Sequence, residues 1–370
     1  MIGMKIKYSN IMKIVHQSSM VMVYISLIAL IVSLYLVTKG LGLIHAKIML
    51  ISFLPIFISG VAASYSSSSL KPSDKFASTI LILQISSVFL ILILSITAIV
   101  TNKIILLIVS LFYSGIVNFI TATKPKGDIR LSVALIGYTG ILSSIFLLLN
   151  LSKSIFQLAI GFIFVYAISA IYAVTIHSFP NTFKDKPNTI LVYLLFILQT
   201  ISTLIYQYYF KISVILYSIS VIVFYLSINI FKHKKYSNLA TSTTNIYAKA
   251  GTLYMLYGQE ISALYSLILL ASSILFYYNI ITLLDFIHIL IIGFVGIHIF
   301  IHAPLMLPVI LRWTSARRYS LFPYILIFAA ALIWPIDMHI SFLFVVLAIV
   351  FLILIVKPSK EPMPLSLTHG

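Results

Sequence analysis

Cysteine is absent from the chain. That removes disulfides, thiolate-ligated zinc, iron–sulfur clusters and thiol nucleophiles, and leaves histidine as the main soft metal ligand. Charge is scarce as well, at 8% of 370 residues, against 61% hydrophobic residues. So little polar surface cannot cover a water-soluble globule, so lipid is the expected solvent and no soluble domain is expected. Acidic residues number only 7 against 24 basic ones. The apolar stretch after Lys5, Lys7 and Lys13 shows no small-residue cleavage site and reads as a retained helix, not a removed signal.

Long apolar runs recur between short polar breaks. A bilayer core takes about 20 apolar residues per helix, and twelve spans fit, at roughly 15–38, 41–65, 76–100, 103–123, 130–150, 154–177, 189–209, 211–231, 259–279, 284–311, 321–336 and 340–357. The expected fold class is an all-α polytopic integral membrane bundle, one transmembrane domain over 1–370, with a loop at 232–258 that reads as cytoplasmic or as an amphipathic surface segment.

Alternate breaks hold 19 of the 24 basic residues: Lys5, Lys7, Lys13; Lys71, Lys75; Lys124, Lys126, Arg130; Lys184, Lys186; Lys232, Lys234, Lys235, Lys249; Arg312, Arg317, Arg318; Lys357, Lys360. The intervening breaks hold only Lys39, Lys47, Lys103, Lys153 and Lys211. By the positive-inside rule both termini face the cytoplasm of a cell membrane. The basic residues form loop-end clusters and not a stripe, so no nucleic-acid partner is expected.

Depth can be compared between even-numbered spans, which all run from outside to inside. His45 lies about five residues into span two and His288 about five into span ten, two imidazoles at matching outer depth on parallel helices. That is a bis-histidine haem geometry. His302, fourteen residues beyond His288, is expected on the same helical face roughly 21 Å away, where it could pair with His177 at the end of span six around a second haem; His298 is an alternative ligand. The competing reading has all these histidines interfacial or hydrogen-bonded within the bundle. His16, His233, His339 and His369 read as solvated. Glu260 reads as an interfacial residue capping span nine, or as an intramembrane acid if that span begins earlier.

Span two, His45-Ala46-Lys47-Ile48-Met49-Leu50 followed by Phe53, Gly60 and Tyr65, resembles the corresponding signature of the NnrS family and of haem–copper oxidase subunit I. Span ten, with His288, Gly293-Phe294-Val295-Gly296, Phe300 and Pro308, is similar to the tenth span of C-type haem–copper oxidases. The resemblance implies twelve spans in three arcs of four, and low-spin haem b ligated by His45 and His288. It also implies that oxygen reduction is missing. Phe286 stands where the high-spin haem ligand would be, Gln157 near the place of a copper-ligating histidine, and span seven has no histidine pair. Lys47 and Ile48 replace the second histidine and the glutamate of the NnrS signature.

The expected function is therefore an electron-carrying haem b subunit of a respiratory or quinol-linked complex, an electron-transfer subunit in place of a complete oxidase. Its partners would be lipid, a redox subunit on the extracellular side and a quinone. Two rivals are a cofactor-free secondary transporter and an NnrS-type nitric oxide or copper related haem protein.

Overall fold

The computed structural model describes residues 2–71, 76–124, 129–311 and 319–355. Lys75, Lys126, Arg312, Arg317, Arg318, Lys357, Lys360 and His369 lie outside these residues, as do the side chains of Lys5, Lys7 and Pro308.

Every expected span is a helix. α1 is Ile2–Thr38, α2 Gly42–Ser68, α3 Ala77–Thr101, α4 Ile105–Ala122, α5 Arg130–Leu149, α6 Ile155–Thr182, α7 Thr189–Ile205 and α8 Phe210–Ser227. α9, His233–Ser242, is a short extra helix. α10 is Ile246–Tyr277, α11 runs from Leu283 to Leu311, α12 is Phe322–Ile333 and α13 Met338–Ile355. Among the described residues ten helices are long and apolar enough to cross a membrane, and α7 and α12 are shorter apolar helices at the positions of spans seven and eleven. The architecture is that of a multi-pass membrane protein. Its outward side chains fit that solvent: Ile31, Val100, Ile190 and Leu264 are among many large apolar residues left exposed.

Serine and threonine are accommodated in these helices by bonding back to carbonyls three or four residues earlier, as Ser87 does to Gln84, Ser143 to Thr139 and Ser218 to Val214. Several helices stop at an asparagine in the left-handed region, Asn102, Asn229 and Asn279, a conformation asparagine tolerates and other residues avoid. Three of the five lysines outside the basic clusters attend helix ends, two of them at these asparagines. Lys47 donates to Asn102 Oδ1, Lys211 to the Tyr277 carbonyl and Asn279 Oδ1, and Lys153 to the Gln207 carbonyl. A cation beside the carbonyl end of a helix offsets its partial negative charge, which explains why these lysines depart from the charge alternation.

Contacts gather the chain into two compact units, 1–177 with 203–208, and 178–202 with 209–370. In the first, α1 packs on α2 and α3, and α3, α4, α5 and α6 follow in sequence, with α2 also against α6. The tightest seam is between α4 and α5, where Gly115, Gly137 and Gly140 bring the two backbones together. In the second unit α10 is the hub, packed by α8, α9, α11 and α12, and α13 lies on α12 through Ser341, Ala348 and Leu352.

The segment 232–258 is mostly helical and not a loop: it carries α9 and the first turns of α10, which starts at Ile246 with Asn245 as its cap, thirteen residues ahead of the expected span. Those turns are too polar to register as an apolar run. α9 is held by Asp185, which accepts from Lys232 Nζ at 2.8 Å, from Tyr236 Oη at 2.8 Å and from the Lys186 backbone amide at 2.9 Å, with Lys235 Nζ at 3.4 Å. Burial by itself would raise the Asp185 carboxyl, but the hydrogen bonds from Lys232, Lys186 and Tyr236 outweigh it and hold the group well below the usual carboxylate range. The same carboxylate, with burial, pushes the Tyr236 phenol up. A depressed acid contributes stability that is fully present above its unfolded value near pH 4 and lost as the pH falls through the folded value. Asp185→Asn is therefore expected to loosen α9 at neutral pH by about 1 kcal/mol, discounted for the half-exposed lysines, and to abolish the acid-dependent part of that loosening. Limited proteolysis at α9 against pH measures it, and identical digestion of both proteins at pH 7 would contradict it.

Candidate functional site

His45 sits in the first turns of α2. Its Nδ1 lies 3.1 Å from the Ser33 carbonyl and 2.8 Å from Ser33 Oγ on α1, and Ser33 Oγ in turn donates to the His45 carbonyl at 3.2 Å. A carbonyl only accepts, so Nδ1 carries the proton and the lone pair is on Nε2. His288 is arranged alike in α11. Its Nδ1 donates to the Leu284 carbonyl at 2.8 Å, and its ring stacks on Trp334 with 3.6 Å between centroids and 10° between planes. The start of α11 is fastened by a capping box in which Thr282 and Asp285 bond reciprocally.

A π turn follows each of these histidines. In α2 it covers Met49–Phe53 and in α11 Ile289–Val295, and a third, Ile163–Ile168, occurs in α6. All three begin six to eight residues into their helices, which start at Gly42, Leu283 and Ile155. Each has a local cause. Pro55 has no N–H for the Ile51 carbonyl and would collide with it in a regular helix. In α6, Ser169 Oγ takes up the Phe164 carbonyl at 3.1 Å. In α11, Tyr265 Oη bonds the Ile289 carbonyl at 2.8 Å, its ring filling the space a Cβ on Gly293 would occupy.

The π turn in α11 corrects the sequence reading of the inner histidines. It inserts one residue more than an α turn, so side chains beyond it are rotated by about 100°. The offset between His288 and His302 grows from about 40° to about 140°, and that between His288 and His298 to about 180°. They do not share a face with His288. His298 and His302 stand together instead, their rings stacked at 6.3 Å. His298 is 1% exposed, with Nδ1 at 2.9 Å from the Phe294 carbonyl and 3.2 Å from Ser262 Oγ, and Nε2 at 3.3 Å from Tyr225 Oη. His177 lies five residues before the end of α6, which continues through Pro180 to Thr182.

Two further expectations are revised. Glu260 does not cap its helix; it lies inside α10 and accepts a short hydrogen bond from His233 Nδ1 on α9, while His233 itself is exposed, as expected. His16 is half-buried within α1 with Nδ1 at 2.9 Å from Ser64 Oγ. His339 is exposed, as expected. The positions that depart from the oxidase pattern have other employment: Gln157 closes a capping box with Ser154, and Phe286 is buried and stacked on Phe276. Among the described residues no group of three or more histidine, aspartate or glutamate side chains could hold a bare metal ion. An imidazole anchored at Nδ1 to a carbonyl suits ligation of a haem iron through Nε2; His45 lies in the first unit and His288 in the second.

No protein-family model matches this chain, no curated protein matches it, and no solved structure matches it. The class is thus defined by the structure: an all-helical, multi-pass membrane protein with histidines within its apolar helices.

Proposed function

We propose that this chain is a membrane-embedded haem b subunit that carries electrons in a respiratory or quinol-linked complex, with His45 and His288 as axial ligands. The supporting observation is the state of those imidazoles. Each is anchored at Nδ1 to a carbonyl, the outer-shell arrangement that orients a metal-bound histidine and raises its basicity. The recurrence of a π turn at similar distances from the starts of spans two, six and ten supports three arcs of four, the arrangement implied by the resemblance to haem–copper oxidase subunit I and NnrS proteins. Bound haem supplies the one-electron chemistry; the chain sets axial ligation, orientation and dielectric. Trp334, flat against His288, fixes that ring's plane. Charge alternation supports termini on the cytoplasmic side of the cell membrane, which puts both histidines near the outer surface, where a redox partner subunit would meet them, with quinone as the lipid-soluble co-substrate.

An optical spectrum with a pyridine haemochrome assay tests the reading. The purified chain is expected to show a Soret band that sharpens and shifts on reduction and does not respond to carbon monoxide, as a six-coordinate carrier requires. A carbon monoxide or nitric oxide response would move the assignment to an NnrS-type gas or copper related protein. A colourless protein from haem-replete cells would overturn haem binding and leave the secondary transporter, a reading that the two six-span units favour.

A further inference from the structure

Within the first unit α1, α2 and α3 pack on one another, and two apolar clusters mark levels at which they meet. Met22, Ala63 and Val88 form one with Ile56 and Ile91; Val15, Leu70, Ile80 and Leu81 form the other. Between these clusters each helix carries polar side chains on the same face, because positions three, four and seven apart line up along a helix. On α1 the residue is Ser19, between Val15 and Met22; on α2 Ser66 and Ser67, between Ala63 and Leu70; on α3 Gln84, between Leu81 and Val88. All four are fully buried. A polar layer is thus enclosed between two apolar ones.

The layer is chemically incomplete. Ser87 bonds back to a carbonyl of its own helix, but the hydroxyls of Ser19, Ser66 and Ser67 meet no protein partner. Neither does Gln84 Oε1. Turning the Gln84 amide over does not cure this. Its Nε2 donates to Asn118 Oδ1 at 3.2 Å and to Thr121 Oγ1 at 2.8 Å on α4, and Asn118 is itself fixed by the hydrogen bond from its Nδ2 to the Ser114 carbonyl. Reversing the amide would set oxygen against oxygen. Three hydroxyls and one acceptor are therefore left at one level without meeting one another. A molecule between them must accept from serine and donate to glutamine, and water does both without bringing a charge. A cation would need an anion to offset its burial, and the described residues of this unit include no aspartate or glutamate. Asn118 also lines a small cavity with Ser59, Ser114, Thr139 and Tyr166, about the size of one water molecule.

We propose that Ser19, Ser66, Ser67 and Gln84 form a binding site for ordered water that fastens α1, α2 and α3 in register. The proposal does not rest on the haem reading. It is tested on the full chain, labelled with 15N-glutamine, in phosphatidylcholine vesicles by solid-state NMR, with Gln84→Met identifying the signals. Polarisation from water protons is expected to reach the Gln84 side-chain amide at least about threefold faster than the backbone amide of the same residue. Ser19→Ala, Ser66→Ala and Ser67→Ala are each expected to lower the midpoint of unfolding in denaturing detergent, since each deletes a partner of the water. At a dry site the same changes would remove an unmet hydroxyl and raise it. Replacing sodium by choline in the buffer is expected to leave both measurements unchanged. Equal transfer to the two Gln84 amides, midpoints unchanged or raised in the serine variants, or a midpoint that falls when sodium is withdrawn would overturn the water site.

Discussion

With His45 and His288 as the proposed haem ligands, His45→Ala and His288→Ala are each expected to remove the visible spectrum of the purified protein. A haem held between two imidazoles would keep a single anchor once either was deleted. Neither residue has a ready substitute. Beyond the π turn in α11, His298 and His302 point well away from the face of His288, and on α2 the side chain two positions after His45 is Lys47, committed to Asn102. Ser33→Ala is expected to act more mildly. It removes the hydroxyl partner of His45 Nδ1 and keeps the Ser33 carbonyl, so haem affinity should fall by about 10-fold and the midpoint potential should shift. His302→Ala should leave the spectrum intact. Unaltered spectra in both ligand variants would exclude this site.

The second large effect concerns packing. Gly115→Val is expected to destabilise the first unit by about 3 kcal/mol. A Cβ at residue 115 would lie 2.8 Å from the Gly137 carbonyl oxygen and 2.8 Å from the Ile141 backbone nitrogen, and one at Gly137 would lie 2.9 Å from the Gly115 carbonyl oxygen. These are backbone atoms that cannot rotate aside, so α4 and α5 must separate. Helices in lipid gain no hydrophobic drive from association and depend on such close approach for dispersion contact. Gly42→Ala is the matched control, since nothing lies within 4 Å of its Cβ position. Unfolding of the full chain in denaturing detergent should separate the two variants; equal midpoints would contradict the packing argument.

Helix positions were legible in advance wherever the hydrocarbon imposed them. α2, α3, α4 and α13 begin and end within about three residues of the apolar runs. α10 was read late, because Asn245, Lys249 and Thr252 make its beginning polar. The π turns were not legible. Pro55 marks one of them, but those in α6 and α11 depend on Ser169 and Tyr265 reaching particular carbonyls, and hydropathy carries no trace of one added residue. The misreading of His298 and His302 follows from that single residue. Similarly, nothing local in Glu260 or His233 announces that they meet, since 27 positions separate them.

The amino-acid sequence alone determined the solvent, the number of apolar segments and the alternation of charge, because a helix must be about 20 apolar residues long to cross hydrocarbon and lysine is held back on one side. Tertiary structure decided which way each helix faces and what each histidine touches. Rotation about a helix axis shifts by about 100° for every inserted residue, and the contacts that insert one come from other helices.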